Sequence, residues 1–104
     1  MLFLHNLSGK HIANLDNNQL YSPRGENIGH YESGYEFFID MNGKYLGEII
    51  EENRLAYNKS NSYKNINFGN HGNYGNVGNY GNPGNIGNIG NISGYEDVVI
   101  TWIM

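Results

Sequence analysis

The chain has no cysteine and two prolines among its 104 residues, and it has no basic excess. Six Lys and Arg stand against ten Asp and Glu, a net charge of -4. Without cysteine there is neither a disulfide framework nor a thiolate zinc site. The acidic balance argues against nucleic acid as a partner and against a polybasic membrane anchor. No apolar run approaches the roughly 20 residues that a membrane span needs. The opening MLFLHNLSGK lacks a basic n-region and a long apolar h-region, so no signal peptide is read and the expected compartment is the cytoplasm. A helical hydrophobic period is missing as well, and the length suits one small domain.

What the chain does have is repetition. NLSGKHIANL, SPRGENIGHY and DMNGKYLGEI share one pattern. Each opens with Asn6, Ser22 or Asp40 and places Gly9, Gly25 or Gly43 three residues later. Ile12, Ile28 or Leu46 follows, and then Ala13, Gly29 or Gly47. Asn, Ser and Asp favour the first position of a type I turn, and glycine at the fourth supplies the positive φ of a G1 bulge. A fourth, degenerate copy reads NKSN, in which Asn61 takes the glycine's place at positive φ. Flanking segments such as FFID and KYLGEI are rich in aromatic and branched residues and read as strands. Second turns are expected at 16–18, 32–34 and 51–53. The small residue after each aliphatic one marks a place where backbones meet closely. The expected fold is all-β, a meander of about four hairpins in a pseudo-symmetric, closed or propeller-like array that limits its own exposed edges.

The repeated turn-Gly-x-x-Ile/Leu-Gly/Ala unit, as in YSPRGENIGHY and IDMNGKYLGEI, resembles the bacterial 4-fold beta flower domain. The resemblance spans about residues 1–67. It implies four short hairpins around a pseudo-fourfold axis, and it carries no catalytic residues.

Residues 69–92 read GNHGNYGNVGNYGNPGNIGNIGNI, eight Gly-Asn-X triplets whose third residue is almost always apolar or aromatic. Composition alone suggests a flexible linker. The unbroken period and the apolar third residues favour order instead. A period of three fits a polyproline-II-like rod with one glycine edge, one Asn edge and one apolar edge. At about 3.1 Å per residue such a rod would span about 75 Å. A 100-residue globule has a radius of gyration of about 13 Å. The tract must therefore project, wrap, turn back or associate with other copies. The segment that follows ends in VVITWIM, a strand that needs burial, with Trp102 as its expected anchor. The chain thus divides into a hairpin-repeat domain over 1–68, the Gly-Asn-X tract over 69–94 and a C-terminal apolar strand over 95–104.

No catalytic constellation stands out. His5, His11 and His30 would make a metal site only if the repeats converged, and hydrogen-bonded imidazoles on strands are the simpler reading. Asp40, Glu48, Glu51 and Glu52 are acidic neighbours in sequence, but Glu51 and Glu52 fall in a turn and read as a solvated loop. The triplet tract lacks the Lys and the strand–turn–helix setting of a phosphate loop. Tyr21, Tyr31, Tyr45 and Tyr57 recur near strand centres. They are core-filling residues or a surface for a ligand or partner.

The expected function is a non-enzymatic structural or interaction module with no cofactor, whose tract serves packing or self-association into a homo-oligomer. The alternative is a glycan- or peptide-binding module that uses those tyrosines and exposed Asn. Gly9, Gly25, Gly43 and Asn61 are the expected structural turn residues.

Overall fold

A computed structural model of the chain describes residues 1–69 and 72–98. The described residues contain eight strands and no helix: β1 (Leu2–His5), β2 (His11–Asp16), β3 (Gln19–Tyr21), β4 (Asn27–Glu32), β5 (Phe37–Asp40), β6 (Tyr45–Ile50), β7 (Arg54–Asn58) and β8 (Tyr95–Asp97). Strands β1 to β7 form an up-and-down meander in which each pairs antiparallel with the next. Seven is an odd number, so β1 and β7 run the same way. The barrel closes by a parallel pair, His5 to Arg54, supported by the His5 N–H on the Asn53 carbonyl at 2.9 Å. Strand β8 adds antiparallel to the rest of that edge of β7, with Tyr57 opposite Glu96.

Three hairpins share one turn. The N–H of Gly9, Gly25 and Gly43 bonds the carbonyl of Asn6, Ser22 and Asp40 at 2.9–3.1 Å, and the three glycines have φ of 99, 96 and 82°. A register shift follows at the same place in each pair, between Leu4 and His5, Leu20 and Tyr21, and Phe38 and Ile39. The extra residue of the bulge lets Ile12 and Ala13 both be buried, as are Ile28 and Leu46. The fourth turn differs from expectation. Asn61 donates to the Asn58 carbonyl at 3.1 Å, but it is not among the residues of positive φ. No strand follows it to demand a bulge. Residues 62–68 contribute one isolated bridge, Lys44 to Asn67, and the partner of β7 arrives only at Tyr95.

One hydrophobic cluster fills the barrel: Leu4, Ile12, Ala13, Leu20, Ile28, Phe38, Leu46, Leu55 and Val98. A second lies outside the wall, where Phe37, Ile39 and Tyr45 pack with Tyr57 and Phe68. The close-approach residues follow the pattern read above. A Cβ on Gly29 would lie 2.5 Å from the Ile39 carbonyl oxygen, and one on Gly47 would lie 2.7 Å from Val98 Cγ1.

The triplet tract is not a polyproline II rod. Its glycines at 72, 75, 78, 81, 84 and 90 have φ between 71 and 102°, the opposite sign from polyproline II. The cause is local. Asn73, Asn76, Asn79, Asn82 and Asn88 each accept the N–H of the glycine two residues on at 2.6–2.8 Å. Each of these five Asn-X-Gly units is thus an Asx turn whose last residue takes positive φ, and these Asn side chains are used within the tract; Gly87 is the exception.

The tract also lies against the hairpin turns. Phe68 donates to the Gly43 carbonyl at 2.8 Å, Val77 to Gly25 at 3.0 Å and Ile86 to Gly9 at 2.9 Å, and the Gly94 carbonyl accepts from Lys59 at 2.9 Å. Phe68, Val77 and Ile86 are nine residues, or three triplets, apart. Of the expected strand over 95–104, Tyr95–Asp97 is extended and Val98 is buried. Trp102 and the rest of VVITWIM lie outside the described residues.

Candidate functional site

The four tyrosines singled out in the sequence do not form one surface. Tyr21 and Tyr45 are buried at 5 %, while Tyr31 and Tyr57 are half-buried against the core. Tyr21 sits next to the turn, where the tract covers the barrel wall. Tyr45 has its ring in the outer cluster, 5.1 Å from that of Tyr57. Its hydroxyl donates to Glu48 Oε2 at 2.9 Å and accepts the Asn58 N–H at 3.0 Å. Burial, with the Glu48 carboxylate beside it, pushes the Tyr45 phenol well above its usual pKa. The more exposed aromatics are Tyr35, Tyr63, Tyr74 and Tyr80. Tyr35 already stacks on Phe37 at 5.5 Å.

The polar residues of the wall hold the tract and β8. Glu48 accepts from Tyr45, from Tyr95 at 3.1 Å and, more loosely, from Asn58 and Asn61 at 3.4 and 3.5 Å. It links β6 to β7 and β8. Arg54 is buried, and its guanidinium donates to the carbonyls of Asn6 (3.1 Å), Leu7 (3.2 Å) and Gly87 (2.5 Å). His5 Nε2 meets the Gly84 carbonyl at 3.1 Å, and the ring lies 5.6 Å from that of His11. Burial lowers the pKa of His5, the Gly84 bond opposes this, and His11 and Arg54 add to the lowering. His30 is on another strand, where its Nδ1 bonds Gln19, and no group of three potential metal ligands occurs among the described residues.

An apolar-walled concavity lies at the end of the barrel away from the glycine turns. There a mouth of about 350 Å³ is lined by Leu15, Asn18, Tyr31, Glu36, Phe38 and Ile49. Leu15, Tyr31 and Ile49 occupy one repeat position, three residues after Ile12, Ile28 and Leu46, so three strands present the same side to the opening. The Tyr31 ring packs on Phe38 at 5.2 Å, and its N–H is held by the Asn18 carbonyl at 2.9 Å. The repeat pattern contains this triad, and Tyr31 is its one member among the candidate tyrosines of the sequence.

The loops at this end are 17–18, 33–36 and 51–53. All the described non-glycine residues of positive φ lie in them: Asn17, Asn18, Glu36, Glu51 and Glu52, at 49–73°. The carboxylates of Glu36, Glu51 and Glu52 make no hydrogen bond or ion pair with any described residue. Glu51 and Glu52 are exposed, as a solvated loop requires, but their backbone is strained.

A larger cleft, about 670 Å³, runs between Leu7 and Ser8 and the chain from Asn88 to Asp97. Two of its side chains hold the fold: Tyr95 bonds Glu48, and Asp97 accepts the Leu7 N–H at 3.0 Å.

No protein-family model matches the chain, and neither a curated protein nor a solved structure does.

Proposed function

We propose that the chain is a non-enzymatic interaction module: a pseudo-fourfold hairpin array, related to the 4-fold beta flower architecture, that is belted by its own triplet tract and binds through the open end of the barrel. The fourfold reading is supported by three identical bulged turns, by a fourth turn completed by β8, and by tract contacts at Phe68, Val77 and Ile86. Another nine residues lead to Tyr95, the first residue of β8. On this reading the belt starts at the fourth turn, passes the third, second and first, and returns to the fourth. The triplets then serve packing within the chain, because their Asn side chains and many of their N–H groups are already used.

The observation that carries the binding role is the mouth with Leu15, Tyr31 and Ile49 left half-buried at its rim. A concave apolar site with a few polar groups at its edge is the usual form of a ligand pocket. An enzymatic role finds no support in the geometry, since Glu48 is engaged by tyrosines and amides, His5 meets the belt at Gly84 and His11 bonds Asn14.

Two measurements test this. Light scattering on the full chain is expected to give the mass of a monomer; a stable oligomer would return the tract to an assembly role. A fragment screen followed by amide and methyl chemical shifts is expected to move Leu15, Tyr31 and Ile49. Hits confined to Tyr35 and Tyr63 would favour a glycan- or peptide-binding surface on the outer aromatic cluster.

A further inference from the structure

We infer that the mouth takes an organic cation with an apolar body, an aryl- or alkylammonium, with Glu36 as the counter-charge and Tyr31 as an aromatic wall; the inference rests on the reading of the mouth as a binding site. Three independent observations carry it.

The first is the placement of charge. The loops around this end and the strand residues beside them hold Asp16, Glu32, Glu36, Glu51 and Glu52. The basic residues lie elsewhere. Lys10, Arg24 and Lys44 flank the glycine turns, Lys59 and Lys64 lie at the start of the belt, and Arg54 is buried on three carbonyls. A carboxylate-rich rim over low-dielectric walls concentrates cations at its opening.

The second is strain. Glu36, Glu51 and Glu52 sit at φ of 60, 49 and 73°, where a side chain is disfavoured and glycine is not. Gly9, Gly25 and Gly43 meet the same need in the three bulged turns, and Asn17 and Asn18, which tolerate it, meet it between β2 and β3. Glutamate at all three positions keeps carboxylates that have no partner among the described residues where glycine would be less strained, and such strain concentrates at functional sites.

The third is the lining itself. Tyr31, Phe38, Leu15 and Ile49 give the apolar and aromatic walls, and Glu36 is the charged member. An ammonium between a carboxylate and an aromatic face gains from both. A bare metal ion fits poorly, because no three ligating side chains converge among the described residues.

The test compares 2-phenylethylammonium with 2-phenylethanol, which has nearly the same shape and no charge, on the full chain by NMR titration. The cation is expected to bind about tenfold more tightly. It should move Leu15, Tyr31 and Ile49 and weaken as salt is raised. Glu36→Gln should abolish the preference for the cation. Glu36→Gly should abolish it too while raising the melting temperature, a pairing that a purely structural role for Glu36 would not give. Equal binding of the two compounds overturns the cation assignment and leaves the mouth as an apolar site. Binding of neither overturns the mouth as a site. Cation binding that survives Glu36→Gln unchanged places the charge recognition elsewhere and also overturns the inference.

Discussion

The carbonyl of Gly25 accepts the N–H of Val77 at 3.0 Å, and a Cβ on Gly25 would stand 2.2 Å from the carbonyl oxygen of Gly78. One glycine therefore meets two demands, the positive φ of the hairpin turn and the passage of the belt. Gly25→Ala is expected to lower stability by more than about 2 kcal/mol, since backbone strain and a displaced belt add. Gly34, which has open space around it and no positive φ, is the control. Thermal melts of Gly25→Ala and Gly34→Ala should differ by many degrees, and similar melts would refute the double role.

The spacing of nine residues between belt contacts can be broken directly. Deletion of residues 79–81 leaves the Asn-X-Gly pattern intact but brings Val77 and Ile86 too close in sequence to reach both Gly25 and Gly9 in the same turn geometry. At least one backbone bond is lost, with a cost of about 1 kcal/mol or more. Hydrogen exchange should show faster exchange at Val77 or Ile86. If both amides keep their protection, the spacing is incidental.

The turn glycines were legible because a type I turn with a G1 bulge needs a polar first residue and a glycine fourth, three times over. The buried Ile12, Ile28 and Leu46 followed from the same register. Two features were not legible. Period three is common to polyproline II and to consecutive Asx turns, and the two differ in the sign of the glycine φ, which composition does not encode. The partner of β7 lies beyond the belt, and β pairing carries no short-range signature to announce that Tyr95–Asp97 would pair with Ala56–Asn58. The mouth was half visible. Leu15, Tyr31 and Ile49 share a repeat position, yet the strain at Glu36, Glu51 and Glu52 exists only once the loops have their dihedral angles.

His5 should make stability depend on pH. Its pKa is lowered from 6.5 by burial, whereas the unfolded chain titrates near the ordinary value. The unfolded state then binds the proton more readily. The stability due to neutral His5 is complete above pH 6.5 and is lost as pH falls through the folded-state value. His5→Gln keeps a donor for the Gly84 carbonyl without a titrating ring. Urea midpoints of parent and variant, followed downward from pH 7.5, should converge or cross below about pH 6.5. Parallel curves would rule His5 out as the sensitive group.

Arg54→Met removes the group that joins β7 to the first turn and to the belt at Gly87. Three carbonyls lose a charged donor, and the expected loss is more than about 2 kcal/mol. Chemical denaturation checks the magnitude. Retention of parental stability would mean that the guanidinium merely fills space.

β8 follows the belt in chain order, so the seven-stranded part of the sheet emerges from the ribosome while its outer wall is still bare. His5 and the edge of β7 stay wet until residues 59–94 have been laid across the turns. Loop-closure entropy rises slowly with length, so the equilibrium penalty of this long detour is modest. Its kinetic effect is larger, because the pairing of β7 with β8 is the most non-local antiparallel contact in the sheet and falls late in folding. Until that step is complete the nascent chain carries an open strand edge, the kind of surface that invites pairing with another copy and that chaperones cover.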